Sequence, residues 1–452
     1  MTRTRFAPSP TGFLHIGGLR TAAYAYALAK HDRGEFFLRI EDTDQKREVT
    51  GAAEDIYRIL KIFNLSWDNE PMIQSARQTT GVYQQAAEKL LQSGQAFYCQ
   101  CPPRNAKTEG FSTVLRDPCR DKHFSSGAVK LRVPDGEILT FHDFAINKDI
   151  SWNSSDIADT ILLKTDGFPT YHLAVAVDDA EMGITHVIRA VEWLPSTPIH
   201  ILVHRHLGLT LPQIGHPTDI LDPDGGKLSK RKRNVSCEQF IADGYLPEAI
   251  FNFVILLGWA PKDNRELFSL SEFVSAFDPR GFQKSNAMYS DAKLNWFNGH
   301  YLRSKTDTEL TQLVKPFVKN TQEDTLITQI VPLIKDRLIK LSDFDSLTGF
   351  FFSLPEIDLQ LFPDPTLSST HLSSALSHLS ACDWSKSGIE TGWTDQIKAA
   401  GWKVGDFFMS LRIAICGSRF TPPLTDTMLI LGQSESLARI KNALNLLKKF
   451  KN

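Results

Sequence analysis

The opening of the chain constrains its fold most strongly. The segment TRTRF (2–6) has the composition of a short strand, and residues 16–30 have that of an apolar helix. A second strand, EFFLRI (35–40), ends in the acidic cluster EDTD (41–44). Strand, helix and strand in this order form a βαβ unit, whose strands pair in parallel and present ligand sites at their carboxyl ends. The sequence therefore predicts an α/β fold built on a Rossmann-like parallel-sheet domain.

The loop between the first strand and the helix, APSPTGFLHIGG, is tightly constrained. Pro8 and Pro10 fix their own backbone angles, while Gly17 and Gly18 leave the helix start without side chains. The first turn of a helix offers unpaired N–H groups and a partial positive charge, which suit a phosphate. His15 lies at that edge and can donate to a phosphate oxygen. A rigid connection carrying a surface histidine would look the same, so this loop alone leaves both interpretations open.

A second motif narrows the choice. The segment GGKLSKRKR (225–233) places Lys227 and Lys230 three residues apart on a loop that begins with glycine. Two mobile ammonium groups so placed can follow negative charge as it grows on a departing pyrophosphate. A solvated basic loop or a nuclear-localisation run explains this motif in isolation. The two motifs together favour nucleotide chemistry.

Composition sets the broad class of the protein. The 452 residues correspond to about two to four domains, and 42% hydrophobic content is ordinary for a globular protein. A net charge of −2 neither supports nor excludes a nucleic-acid partner, because a local basic groove can coexist with a neutral total. The apolar run AIFNFVILLGWA (249–260) is too short to span a membrane and predicts a buried helix. No signal-sequence pattern is recognised and cysteines are few, so we expect a cytoplasmic protein with no membrane partner.

Residues from about 95 to 170 differ in composition and pattern from the segments before them. They contain cysteine, proline and short alternating strands, as an insertion would. Cys99 and Cys101 are followed by Cys119 and His123. Three thiolates and an imidazole can form a tetrahedral structural zinc site. The alternative is a set of thiols that no longer binds metal.

The motifs PSPTGFLHIGG and KLSKR resemble the two signature motifs of class I aminoacyl-tRNA synthetases, and their flanks are similar to those of the bacterial and organellar glutamyl-tRNA synthetase family. Further similar segments are LRIEDTDQKR, PTYHLAVAVDD, MGITHVIRAVEWLPSTPIHIL, KLNWFNGHYLR and SLRIAICGSRFTPPL. They follow the family's order nearly from end to end. The resemblance implies ATP-dependent activation of L-glutamate to glutamyl-adenylate, with release of pyrophosphate, and transfer to tRNA-Glu with release of AMP. It also implies that tRNA binds before activation.

The resemblance assigns roles to individual residues. Glutamate has two carboxylates and one ammonium group, so its pocket needs cations at two ends and an anion or carbonyl for the amine; guanidinium groups suit carboxylates. We expect ATP to bring Mg²⁺ and Arg47 to hold the tRNA end. The resemblance implies that the catalytic residues are His15, Lys227 and Lys230. It implies that ATP is bound by Gly17, Glu192, Trp193, Leu228 and Lys230. It implies that glutamate is bound by Arg5, Ser9, Glu41, Tyr171 and Arg189, with Glu41 facing the ammonium group.

The resemblance also implies a division of the chain, and we expect a monomer. The predicted parts are the first catalytic half (1–84), an inserted acceptor-end-binding domain (85–170), the second catalytic half (171–238), a linking helical domain (239–306) and an all-α anticodon-binding region (307–452).

Three alternatives stay open on the sequence alone. One is an enzyme that also glutamylates tRNA-Gln. Another is a catalytically inactive tRNA-binding paralogue. The third is a truncated-type paralogue that modifies a tRNA base, against which the long helical region after residue 300 argues.

Overall fold

The computed structural model of this chain describes residues 1–102, 115–228, 235–319 and 324–450. By their contacts these residues form two compact units, of which the first comprises Met1–Ile241 with Pro247–Leu294, and the second Ala242–Leu246 with Asn295–Asn452. Within the described ranges, no helix is long and apolar enough to cross a lipid bilayer.

A seven-stranded sheet organises the first unit. Its strands are β1 (Arg3–Phe6), β2 (Glu35–Ile40), β3 (Met72–Ile73), β6 (Ile138–Asp143), β7 (Lys148–Asn153), β9 (His186–Ile188) and β10 (Gln213–Gly215). They lie in the order β3-β2-β1-β9-β10-β6-β7. All neighbouring pairs are parallel except β6 with β7. The predicted βαβ unit and parallel sheet are therefore confirmed.

The connection from the first helix to β2 shows why this βαβ unit closes tightly. The helix Ile16–His31 ends in Asp32, and its alanine- and leucine-rich surface is buried. The Glu35 amide then donates to the Thr2 carbonyl at 3.0 Å. A Cβ on Gly34 would lie 1.9 Å from that carbonyl oxygen, so only glycine fits this turn.

Residues of the predicted insertion are divided between two sheets. A three-stranded antiparallel sheet has the order β4-β5-β8, formed by Ala96–Cys99, Ala128–Leu131 and Ile161–Leu163. The β6–β7 hairpin instead extends the main sheet, because Asp143 of β6 pairs in parallel with Ile214 of β10. A segment that resembles an insertion in sequence thus contributes directly to the sheet that carries the cleft.

The remaining elements of the first unit are mostly helices. A small two-stranded parallel sheet joins β11 (Ile220–Leu221) to β12 (Ala287–Met288). The further helices are Ala52–Ile62, Gln74–Gln78, Val82–Gln92, Tyr171–Glu181, Thr197–Leu207, Cys237–Ala242, Pro247–Ile255, Leu270–Ala276 and Asp291–Ser304, which continues into the second unit.

The second unit is helical throughout its described elements. Its last helix has the predicted apolar face, with Ile440, Leu444 and Leu447 buried and Leu437 half-buried. The helices are Asp307–Val314, Asp324–Ile334, Asp343–Phe352, Pro365–Ala381, Lys386–Ala400, Val404–Cys416, Leu424–Leu431 and Gln433–Phe450.

Candidate active site

A cleft of about 1100 Å³ lies where β1, β2 and β9 end. Parallel sheets bind ligands at this edge. Lys230 falls outside the described residues. The predicted residues that line the cleft are Arg5, Ser9, His15, Gly17, Glu41, Arg47, Tyr171, Arg189, Glu192, Trp193, Lys227 and Leu228.

The start of the first helix forms one end of the cleft. His15 is its N-cap, and its Nδ1 accepts a hydrogen bond of 3.2 Å from the Gly18 amide. A neutral His15 therefore carries its ring proton on Nε2. A Cβ on Gly17 would meet the His15 ring at 3.0 Å, and one on Gly18 would lie 2.7 Å from the Leu14 side chain. The two glycines therefore leave room for the His15 ring and the Leu14 side chain at the helix start.

Lys227 is held by two carboxylates in this cleft. Its ammonium group contacts Glu192 and lies 3.0 Å from Asp219. Burial alone would lower the pKa of Lys227, but its hydrogen bonds to Glu192 and Asp219 outweigh burial and raise the pKa. Lys227 is therefore a firmly protonated cation that lines the cleft.

The described flanks of the KLSKR motif are anchored by backbone hydrogen bonds. The Leu228 amide donates to the Ile220 carbonyl at 2.8 Å. On the other flank, the Ile16 amide donates to the Val235 carbonyl at 3.1 Å. These bonds connect the second motif to β11 before it and to the helix start after it.

A buried ion cluster supports Arg5 and Glu41. Arg39 has no exposed side-chain surface and contacts Glu41 at 2.9 Å and Asp179 at 2.6 Å. Arg5 reaches the same Asp179 oxygen at 3.3 Å. Burial raises the pKa of Glu41 despite its arginine neighbours. Burial would also raise the pKa of Asp179, but the charges of Arg39 and Arg5 outweigh burial and lower the pKa of that carboxyl. Arg39 and Asp179 lie within the segments LRIEDTD and VDD, yet no sequence signal marked either as a site residue.

Arg189 is buried among neutral partners. Its guanidinium donates to Tyr171 Oη at 3.1 Å, His200 Nδ1 at 2.9 Å, Thr197 Oγ1 at 2.9 Å and His216 Nε2 at 3.0 Å. Among the described residues, no carboxylate bonds to it directly. A desolvated guanidinium of this kind can bind an anion, since its charge is not balanced at contact distance.

Burial keeps the rings around Arg189 neutral. It lowers the pKa of His216 and, together with the Arg189 charge, the pKa of His200. Neutral imidazoles can accept the arginine hydrogen bonds. Burial also raises the pKa of Tyr171, so its hydroxyl keeps a proton that it can donate to a ligand while accepting from Arg189.

Trp193 and Arg47 complete the cleft walls. The Trp193 ring packs on Tyr171 with their ring centroids 4.3 Å apart. Arg47 lies at the rim, where its side chain is 72% exposed and 3.8 Å from Asp44. The exposed guanidinium suits a large ligand that arrives from outside better than a ligand enclosed in the cleft.

Comparison with known proteins assigns this architecture to a family. The model of the catalytic domain of class I tRNA synthetases (E and Q) matches residues 1–296, and an anticodon binding domain matches residues 309–444. The chain belongs to the class I tRNA synthetases for glutamate and glutamine. Both the Rossmann-like domain and the helical C-terminal region that the sequence predicts are confirmed.

Full-length relatives of this synthetase family agree. A "Glutamate--tRNA ligase" of Borreliella afzelii is 37% identical over 485 residues and covers 99% of both chains. One of Finegoldia magna is 35% identical, covering 98% of this chain and 99% of its own. The crystal structure of a glutamate tRNA ligase from Elizabethkingia meningosepticum, in complex with its amino acid, has a TM-score of 0.86 at 30% identity, over 99% of both chains.

A cysteine cluster follows β4 of the synthetase, outside the cleft. Cys99, Cys101, Cys119 and Asp117 place one ligand atom each within 4.8 Å of one another. The Cys101 and Cys119 sulfurs are 3.4 Å apart, and Cys99 Sγ is 3.3 Å from Asp117 Oδ2. Such separations fit a tetrahedral zinc ion with bonds of about 2.0–2.3 Å. Burial raises the pKa of the Cys99 thiol to about 12.

The predicted fourth ligand, His123, is not part of this cluster. His123 is exposed and has a positive φ of 51°, whereas Asp117 takes the fourth position. The Cys119 amide donates to Asp117 Oδ1 at 2.8 Å, which turns the other carboxylate oxygen toward Cys99. The Cys-x₃-His spacing led to the histidine, whereas the structure favours the aspartate two residues before Cys119.

Proposed function

We infer that this chain ligates L-glutamate to tRNA, using ATP and a glutamyl-adenylate intermediate. The observation that carries this inference is one cleft that has a helix N-terminus at one end and is lined by Arg189, a buried guanidinium with no carboxylate partner among the described residues. The full-length relatives, named glutamate--tRNA ligases, support the same activity. ATP, L-glutamate and tRNA are its substrates.

The first step needs no basic nucleophile from the protein. An oxygen of the substrate's α-carboxylate forms a bond to the α-phosphorus of ATP, and the α–β phosphoanhydride bond breaks. Pyrophosphate leaves with the electron pair of that bond, and Mg²⁺ arriving with ATP would help to stabilise its charge. Catalysis is then positioning and charge stabilisation, which His15 at the helix start and Lys227 supply together with Lys230. Gly17, Glu192, Trp193 and Leu228 surround the nucleotide.

The amino-acid end holds the groups that do not react. A carboxylate clamped by a guanidinium is a weak nucleophile, so Arg189 serves the side-chain carboxylate and leaves the α-carboxylate to react. Tyr171 donates its hydroxyl proton to the same carboxylate. Glu41 faces the ammonium group, with Ser9 and Arg5 completing the pocket.

The second step transfers glutamate to tRNA. A hydroxyl of the terminal adenosine attacks the carbonyl carbon of the adenylate, and AMP leaves with the electrons of the broken acyl–phosphate bond. The proton of the attacking hydroxyl passes to the departing AMP phosphate or to solvent water. The exposed Arg47 at the rim binds the tRNA end, and the helical C-terminal residues 307–452 bind the anticodon. The division into catalytic halves (1–84 and 171–238), an inserted acceptor-end-binding domain (85–170) and a linking helical domain (239–306) stays a prediction.

The alternatives drawn from the sequence receive less support. A truncated paralogue lacks the anticodon binding domain that matches here. An inactive tRNA-binding protein would not need the charged and glycine positions of the cleft, which are intact. Charging of tRNA-Gln in addition to tRNA-Glu stays a prediction, as do a monomeric state and a cytoplasmic location.

We also propose one structural zinc ion, bound by Cys99, Cys101, Cys119 and Asp117. The ion would fix the end of β4 to the segment around Cys119 and offset two of the four negative charges of its ligands. It has no part in the ligation steps.

Aminoacylation with labelled glutamate tests the function, with purified tRNA-Glu and tRNA-Gln in separate reactions. Lys227→Met is the inactive comparison, and Lys262→Met is its control, because Lys262 is an exposed lysine paired with Asp278. Charging of tRNA-Glu alone indicates a discriminating enzyme, and charging of both a relaxed one. Binding of tRNA without any charging would contradict the proposed function.

A further inference from the structure

Asp143 and His216 form a fully buried pair behind Arg189. Neither side chain has any exposed surface, and His216 Nδ1 lies 2.6 Å from Asp143 Oδ2. Asp143 is the last residue of β6, and His216 directly follows β10. The pairing of these two strands therefore brings together residues that are 73 positions apart.

The two oxygens of Asp143 have different partners. Oδ1 accepts backbone N–H groups from Ala145 at 3.0 Å, Ile146 at 3.3 Å and His216 at 3.2 Å. Oδ2 accepts the His216 ring nitrogen. Because backbone amides only donate, the Oδ1 position must always be an acceptor.

This arrangement fixes the tautomer of His216. Its ring proton lies on Nδ1, toward the carboxylate, so Nε2 keeps a lone pair. Arg189 Nε donates to that lone pair at 3.0 Å. The backbone of Arg189 is anchored at the same place, since its amide donates to the Gly215 carbonyl at 3.1 Å. The orientation of the guanidinium thus depends on which His216 nitrogen carries the proton.

The neutral His216 ring also keeps the Asp143 carboxylate away from Arg189, so that a ligand meets the full positive charge of the guanidinium. A carboxylate in direct contact with Arg189 would neutralise the guanidinium and compete with a substrate carboxylate. Placing Asp143 behind a neutral ring orients Arg189 through its Nε–H and leaves the Nη1 and Nη2 groups free of any bond to a carboxylate among the described residues. Four of the five guanidinium N–H groups have neutral partners, and the fifth, on Nη2, has none among the described residues.

We propose that Asp143 and His216 are a positioning pair that aims Arg189 at the side-chain carboxylate of glutamate and so supports selection of glutamate over glutamine. A carboxamide cannot supply the charge that this guanidinium lacks, and its NH₂ group meets donors. The proposal rests on the proposed function, of which it explains the amino-acid selectivity.

Asp143→Asn tests the tautomer directly. The oxygen of the new carboxamide must occupy the Oδ1 position to satisfy three backbone amides, so its NH₂ group points at His216 Nδ1. His216 then carries its proton on Nε2, opposite the Arg189 Nε–H, and the guanidinium moves. We expect the KM for glutamate to rise on the order of tenfold or more, as misplacement of a positioning group commonly does. We expect kcat and the KM for ATP to change much less, because the lost interaction binds ground state and transition state alike.

Two further variants separate this effect from loss of folding. In the double variant Asp143→Asn/His216→Gln, the side chain at position 216 is a flexible carboxamide. It can turn its oxygen toward Arg189 even though position 143 now presents an NH₂ group, so the KM for glutamate should fall again. Asp159→Asn is the matched control, because Asp159 is a buried aspartate that also accepts two backbone amides, of Asp117 and Val133. It should leave the KM for glutamate near that of the unmodified protein.

The kcat/KM ratio of labelled glutamate to labelled glutamine is the selectivity measurement, and it should fall in Asp143→Asn by about the factor that KM rises. The proposal is overturned if Asp143→Asn has the same KM for glutamate as Asp159→Asn. It is also overturned if the double variant has a KM for glutamate as high as that of Asp143→Asn. If Asp143→Asn does not fold, His216→Gln and His216→Met replace it. Equal KM values for glutamate in these two variants would overturn the proposal. A lower KM for glutamate in His216→Gln than in His216→Met supports it. An unmodified protein that charges no tRNA with glutamate contradicts the proposed function instead, so the two failures are distinguishable.

Discussion

Arg20 donates a hydrogen bond of 2.7 Å to the backbone carbonyl of Thr218, although the two residues are 198 positions apart. A second guanidinium nitrogen donates to the Leu257 carbonyl at 3.0 Å. Arg20 lies on the first helix, and Thr218 precedes Asp219, which contacts Lys227. One buried arginine therefore connects the first helix to the segment from Thr218 to Lys227, which we call the Lys227 segment.

Arg20→Met should impair catalysis beyond its effect on stability. The substitution leaves the Thr218 carbonyl without its donor, whereas the Leu257 carbonyl keeps its hydrogen bond from Tyr24, so the loss costs about 1–3 kcal/mol of unfolding free energy. It also frees the segment that carries Asp219, so kcat should fall at temperatures where the protein stays folded. Urea unfolding and steady-state aminoacylation measure the two effects.

Tyr24→Phe provides the comparison for Arg20. The Tyr24 hydroxyl bonds to the carbonyls of Ile255 and Leu257 but not to the Lys227 segment. It should lower stability and leave kcat nearly unchanged. An equal loss of kcat in both variants would show that Arg20 has no specific positioning effect.

Lys227→Met should lower kcat far more than it raises KM. The Lys227 ammonium is protonated and held by Glu192 and Asp219, so it is placed to stabilise charge that develops on pyrophosphate. Loss of one such donor commonly lowers the rate about 10²–10³-fold. Glutamate-dependent exchange of pyrophosphate into ATP, measured with tRNA present, isolates this step; a rate within twofold of the control Lys262→Met would exclude the role.

The cleft residues were predictable because the family resemblance marks their motifs, and some of these motifs follow strands that are recognisable in the sequence. EFFLRI became β2 with the expected bounds, and Glu41 comes next. Asp143 and His216 were not predictable, because no local pattern connects them and their contact depends on the β6–β10 pairing. Asp117 was missed because its role depends on a turn that the Cys-x₃-His spacing does not reveal. Sequence periodicity predicts elements and their ends, whereas contacts across strand pairs require the tertiary structure.

The first unit should lose stability as pH falls below about 6.5. Burial lowers the pKa of His172 to about 4, with the Arg189 charge as a second cause. Between the unfolded and folded pKa values, the unfolded chain binds a proton that the folded chain does not, so acidification favours unfolding. Each such histidine contributes a slope of about 1.4 kcal/mol per pH unit. Urea unfolding at pH 7, 6 and 5 measures the slope, which His172→Gln should reduce by one proton; an unchanged slope would contradict the assignment.

Zinc content should depend on Asp117 and not on His123. Protein purified without chelator is expected to contain about one zinc per chain, since three thiolates and one carboxylate complete a tetrahedral site. Asp117→Ala should reduce zinc retention during dialysis against a chelator, because Cys99, Cys101 and Cys119 then bind it with only three ligands. His123→Ala is the matched control and should retain zinc like the unmodified protein. Metal analysis by mass spectrometry, with thiol titration before and after metal removal, distinguishes the outcomes. Zinc lost from His123→Ala but kept by Asp117→Ala would restore the histidine as the fourth ligand, and zinc-free protein with full stability and activity would remove the site altogether.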